Sequence, residues 1–156
     1  MNTRIFITIA LCALLCATDT MAKKHNDIYE EYKHEQGMMH MCLSFPLAKT
    51  ALIGRYNKDA RKLLKHVRKV NMLVYDGDAP MGSLPNRMAK SFDSENFKDL
   101  MTVNDGGDKI EFKIQQHDDY INELAMVVND GSSLVIILLD GKIPISAARD
   151  FAMHCK

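Results

Sequence analysis

The sequence predicts an α+β domain built on a single antiparallel-rich mixed sheet with helices packed on one face. Three observations carry this prediction. Residues 134–139 are six apolar residues in a row, as expected of a central strand covered on both faces. Ile110, Phe112 and Ile114 alternate with Glu111, Lys113 and Gln115, the pattern of a strand with one wet face. Turn signals at Asn104-Asp105-Gly106-Gly107, Asn129-Asp130-Gly131 and Asp140-Gly141 separate the strands into a meander, because these residue types accept positive φ.

The chain opens on an address. Residues 1–4 carry the single charge of Arg4. Residues 5–17 are then apolar except for Thr8, and Thr20-Met21-Ala22 ends the segment with small residues at positions 20 and 22. A charged start, an apolar run and a small-x-small exit describe a secretory signal peptide over 1–22, cut after Ala22. The run falls well short of the roughly 20 residues that a spanning helix takes. Leu11 and Leu15 precede Cys12 and Cys16, where lipid attachment needs a small residue, so a lipid anchor is not expected. The mature chain then divides into an N-terminal helical arm, 23–36, and a single α+β domain, 37–156, long enough to bury a core.

Within the arm a short amphipathic helix is predicted over 27–35, ended by Gly37, with a frayed arm as the competing reading. Residues 38–43 are apolar and short, which fits a buried strand. Ser44 reads as an N-cap with Pro46 in the first turn, giving a helix to Ile53 that stops at Gly54. Asn57 caps the next helix, whose stripe is Ala60, Leu63, Leu64 and Val67. Residues 70–75 form a strand ended by Asp76-Gly77, and a Gly- and Pro-rich loop covers 78–85. Helices are expected over 86–92 and over 94–100, the second capped by Ser94. Strands over 110–115, 121–128 and 134–139 follow. Pro144 then opens a last helix with Ile145, Ala148, Phe151 and Ala152 on one side.

One part of the chain resembles a known family. The stretch FKDLMTVNDGGDKIEF from Phe97 to Phe112, NELAMVV from Asn122 and LVIILLDGKI from Leu134 are similar to domain of unknown function 4252, a family of small exported bacterial proteins. The resemblance covers about 37–152. It implies an envelope location and no activity, since the family offers no agreed catalytic residues to carry over. The MMHMC strand and the terminal His-Cys pair depart from it.

The charge count narrows the function classes. Twenty Lys and Arg balance twenty Asp and Glu, which argues against bulk nucleic-acid binding. No phosphate-cradling loop, G-x-S-x-G or H-E-x-x-H motif occurs, and no catalytic residue or cofactor is assigned. Asp118-Asp119 are adjacent and diverge on any regular element, so they read as a solvated turn. Two constellations remain. His40 and Cys42, joined by His154 and Cys155, are soft ligands of the kind that select copper(I) or zinc. Core packing or a Cys42–Cys155 disulfide explains the same residues. The basic helix offers Lys58, Arg61, Lys62, Lys65 and Lys69 against the single Asp59, a surface for an anionic partner or simply a solvated face. The sequence therefore points to an exported, non-enzymatic envelope domain that binds an envelope protein or anionic surface, with soft-metal binding as the alternative.

Overall fold

The computed structural model describes residues 27–44, 58–77 and 80–154, the side chains of Asp27 and His154 excepted. Among the described residues four helices and six strands follow one another as α1 (Asp27–Tyr32), β1 (Met38–Ser44), α2 (Lys58–Leu64), β2 (Val67–Tyr75), α3 (Leu84–Ser94), β3 (Lys98–Asp105), β4 (Asp108–His117), β5 (Tyr120–Asn129), β6 (Leu134–Pro144) and α4 (Ile145–His154). The strands make one sheet in the order β1-β2-β6-β5-β4-β3. The α+β class and the single sheet are as the sequence predicts. The expected helix over 44–53 and the expected signal segment lie outside the described residues.

Two particulars differ from expectation. Every strand pair is antiparallel, so the sheet is not mixed. Helices also cover both faces rather than one. On the first face α1 and α3 bury Ile28, Tyr29, Tyr32, Leu84, Met88 and Phe92 against Leu73, Tyr75, Val127, Leu134, Ile136 and Leu138. On the second, α2 and α4 bury Leu63, Ala147 and Ala148 against Ile114, Leu124, Leu139 and Ile143. The reason is the strand period of two. Leu134, Ile136 and Leu138 face α3, so Leu139 and its neighbours must be covered from the other side.

β6 is the central strand, paired with β2 on one side and β5 on the other. Ile136 and Leu138 are fully buried on the α3 face, while Val135 and Ile137 are half-buried on the α4 face. Register shifts fall between Val67 and Lys69, Ile121 and Glu123, Gln115 and Gln116, and Asp99 and Met101. All four lie at the same end of the sheet. Bulges sharpen local twist, so the sheet twists most strongly at this end. Gly141 sits in that row. A Cβ there would collide with the backbone carbonyl of His66, and the same carbonyl accepts a hydrogen bond from Lys142 N at 3.1 Å. Only glycine lets the two chains approach this closely.

The helical arm is anchored. Tyr32 OH lies 2.8 Å from Ser91 Oγ, which donates to Glu31 Oε1 at 3.0 Å. Arg87 grips Glu35 through both its terminal nitrogens, at 2.7 and 3.3 Å, and this bond holds the Glu35 carboxyl below its usual range. Burial pushes the phenols of Tyr29 and Tyr32 upward. Gly37, at φ +81°, then turns the chain over the Tyr75 ring into β1.

Three local expectations are corrected. β1 is not a buried strand but an exposed edge, with a lone half-buried residue at Met38. The helices expected over 86–92 and 94–100 are one helix, α3, followed by a strand, β3, because Phe97 turns back onto Phe92 and Met101 and Val103 pair with β4. The second strand starts at Val67, three residues earlier than its apolar run suggests.

Three stability measurements check this account by urea unfolding. Ile136→Ala deletes fully buried volume and is expected to cost about 2–5 kcal/mol. A loss of about 0.5 kcal/mol, typical of a surface site, contradicts a central β6. Gly141→Ala forces backbone apart and is expected to cost about 1–3 kcal/mol with no change in exposed surface. Asp130 closes the β5–β6 turn: it accepts from Ser133 Oγ and N and from Ser132 N and Oγ, and these bonds hold its pKa far below the ordinary range. A depressed carboxylate stabilises the fold above its unfolded pKa and loses that contribution as pH falls. Asp130→Ala is therefore destabilising at neutral pH, and its difference from wild type shrinks at pH values below the ordinary carboxylate range. A difference that is constant with pH contradicts the assignment.

Candidate functional site

The basic residues gather around α2. Helical spacing buries Ala60 and Leu63 and turns Lys58, Arg61 and Lys62 outward. Lys65 and His66 form the exposed turn into β2, and Lys69 is half-buried one residue beyond Arg68. Asp59 meets Lys62 at 3.6 Å, and Arg68 Nη2 donates to Asp140 Oδ1 at 3.1 Å. Lys58, Arg61, Lys65 and Lys69 form no ion pair among the described residues.

The sheet adds a cation that the sequence reading did not include. Lys142 N is bonded to His66 O, which brings β6 beside the turn that carries Lys65. The Lys142 ammonium is exposed and sits 4.4 Å from the centre of the Tyr120 ring, a cation–π contact that fixes its direction. No local signal marks Lys142, because its neighbour in space is far away in the chain.

Of the proposed soft ligands, His40 and Cys42 are described in full and His154 by its backbone alone. His40 and Cys42 share the α3 face of β1, and both are exposed. His40 Nδ1 lies 3.1 Å from Tyr29 OH, and its ring meets His34 edge-on at 6.0 Å. Cys42 is a free, exposed thiol opposite Asn71. His154 instead ends α4, one turn beyond Phe151, whose ring packs against Phe112 on β4. Strands β1 and β4 are four spacings apart, about 19 Å, and α4 lies on the opposite face. Cys155 lies outside the described residues. Among the described residues no group of three His, Cys, Asp or Glu is placed to hold a metal ion.

Buried polar groups cluster at the bulged end of the sheet. Lys113 donates to Asp99 Oδ1 at 2.5 Å, with Phe92 beneath it at 6.0 Å. Glu123 and Asp140 are buried on facing positions of β5 and β6. Asn71 is 1% exposed, and its Oδ1 has no hydrogen-bond partner among the described residues. The cavity beneath α3, lined by Met88, Phe92, Glu111, Lys113, Val127 and Leu134 among others, holds about 40 Å³, room for water rather than a small-molecule ligand. A shallow depression between Gly77, Met81, Pro85, Asn129 and Ser132 offers no titratable side chain. Asp118 and Asp119 sit exposed in the turn between β4 and β5, as a solvated pair should.

Among the described residues no helix is long and apolar enough to cross a membrane. Comparison with curated proteins and with solved structures gave no match. The family model described as "Domain of unknown function (DUF4252)" matches residues 32–151, from the end of α1 into α4 and so across the whole sheet. The chain belongs to the DUF4252 family.

Proposed function

We propose that this protein is an exported, non-enzymatic binding domain of the bacterial cell envelope, and that α2 with its flanking residues engages an anionic surface there. One observation carries the reading. Lys58, Arg61, Lys62, Lys65 and Lys69 lie on and just beyond one short helix, Lys142 joins them from β6, and only Asp59 offsets them within α2. The molecule as a whole has no formal net charge, so this field is local rather than general. A local field of this kind attracts an anionic sheet of headgroups or polysaccharide more than a single small anion. Each Lys or Arg near an anionic membrane surface contributes about 1 kcal/mol, and salt screens the attraction.

Export rests on the N-terminal segment, with its charged start, apolar run and Thr20-Met21-Ala22 exit. The absence of a catalytic role is a reading of the surface chemistry. His40 has Tyr29 and His34 beside it but no carboxylate among its described contacts, so the ordinary orienting partner of a catalytic histidine is not in place.

Charge reversal tests the surface directly. Lys58→Glu, Arg61→Glu, Lys62→Glu and Lys65→Glu together touch no buried side chain and are expected to leave the melting transition cooperative. Wild-type protein is expected to co-sediment with acidic liposomes at low salt and to release at high salt. The reversed variant is expected not to bind. Equal binding by both proteins, or binding indifferent to salt, overturns the reading. Mass spectrometry of envelope-fraction protein checks export, with Lys23 as the expected first residue.

A further inference from the structure

Strand β1 is one edge of the sheet, and among the described residues nothing pairs with its outer side. An edge strand offers a row of backbone donors and acceptors to any other strand, and proteins blunt such edges with charges, prolines or bulges. β3, the opposite edge, has these devices. It carries Lys98, Asp99 and Asp105, and its register breaks between Asp99 and Met101. β1 has none of them. Its sequence MMHMCLS holds no proline and no Asp, Glu, Lys or Arg, and its register with β2 runs unbroken from Met38 to Ser44.

The side chains of β1 add a second observation. Met39, Met41 and Leu43 are 60%, 45% and 39% exposed, three of the five large hydrophobic residues most open to solvent among those described. They share the α4 face and extend the half-buried row of Val74, Met72 and Val70 on β2. Apolar side chains and unpaired backbone thus occur on the same seven residues.

We infer that β1 pairs antiparallel with β1 of a second copy of this chain, across a two-fold axis at Met41, joining two six-stranded sheets into one. A two-fold axis perpendicular to the sheet keeps each face continuous, and the segment 38–44 overlaps itself fully only when Met41 lies on the axis. Met41 then meets Met41 of the second copy, and Met39 meets Leu43 in both directions. The apolar row is its own complement, and no like charges are brought together. On the other face His40 meets Cys42. A lipid surface or a partner helix would cover the side chains and leave the backbone row unpaired; a strand satisfies both. Pairing of β1 with β3 of another copy would repeat without closing, and it would set the charged, bulged edge against an apolar one. The inference does not depend on the anionic-surface reading, since α2 contributes nothing to the paired edge.

Analytical ultracentrifugation of the processed chain, up to sub-millimolar concentration, tests it with three proteins. The wild type is expected to be a dimer. Met39→Lys with Leu43→Lys places like charges opposite one another at both symmetric contacts and is expected to give a monomer. Met39→Lys with Leu43→Glu restores opposite charges at those contacts and is expected to dimerise again. Circular dichroism confirms that each variant folds, and Met41→Lys, which brings two like charges together on the axis, replaces any variant that does not. A monomeric wild type overturns the inference and leaves a foreign strand or another segment of this chain as the occupant. A dimer that survives the double-lysine change, or a charge-matched variant as monomeric as the like-charged one, also overturns it.

Discussion

Everything in this molecule depends on the insertion of β6 between β2 and β5. That strand satisfies its backbone on both sides and buries side chains on both faces. Among the described strands it alone links two otherwise separate pieces of sheet: the β1–β2 pair, and the β3–β4–β5 meander. The α3 side needs Leu73 and Tyr75 from one piece and Val127 from the other, with Leu134, Ile136 and Leu138 between them. The α4 side likewise draws Val67 and Leu63 from before the meander and Ile114 and Leu124 from within it. Burial on this pattern is cooperative, because each cluster has residues from both pieces and neither cluster closes until the centre is filled.

The bulged end of the sheet is where this arrangement departs from regularity. The register shifts, the close passage of Gly141 over His66 and the buried polar side chains occur together. Asp140 illustrates the economy of the region. It lies beside Lys69 in the β2–β6 ladder, faces Glu123 on β5 and accepts from Arg68, so its charge is compensated from β2. Such compensation matters because a buried carboxylate without a partner is costly. The bond from Lys142 N to His66 O at this end holds Lys142 beside the α2 surface. A feature of the core thereby shapes the electrostatics of the outside.

Much of this was legible in the sequence, for physical reasons that are also the reasons for the failures. Residues 134–139 read as central because six consecutive apolar residues have no wet face to offer. The last helix read correctly because Pro144 fixes its start and Ala148 and Ala152 recur at its buried spacing. The α2 cations were visible because helical period alone separates Lys58, Arg61 and Lys62 from Ala60 and Leu63. β1 was misread as buried because Met39, Met41 and Leu43 are apolar, and composition does not distinguish a covered strand from an edge. β3 was misread as helix because Ser94 looks like a cap and Leu100 and Met101 are adjacent apolar residues, compatible with either period. The placement of His40 and Cys42 far from the end of α4 was not legible at all. Spacing along the chain carries no information about which face of a sheet a later helix will choose. The family resemblance was legible through the meander, whose turns and alternation are local, and the matched region does extend through it.

The position of β6 also sets a direction in time. Synthesis delivers a chain from its N-terminus, and the strand at the centre of this sheet is the last of the described strands. Until residues 134–144 have emerged, β2 and β5 have no common neighbour, α4 does not exist to cover Leu124, and the apolar faces of both pieces remain open. The order of the elements therefore leaves the sheet incomplete until residues 134–144 are in place. A fold with its central strand near the beginning would join its parts early; this one joins them when β6 is added.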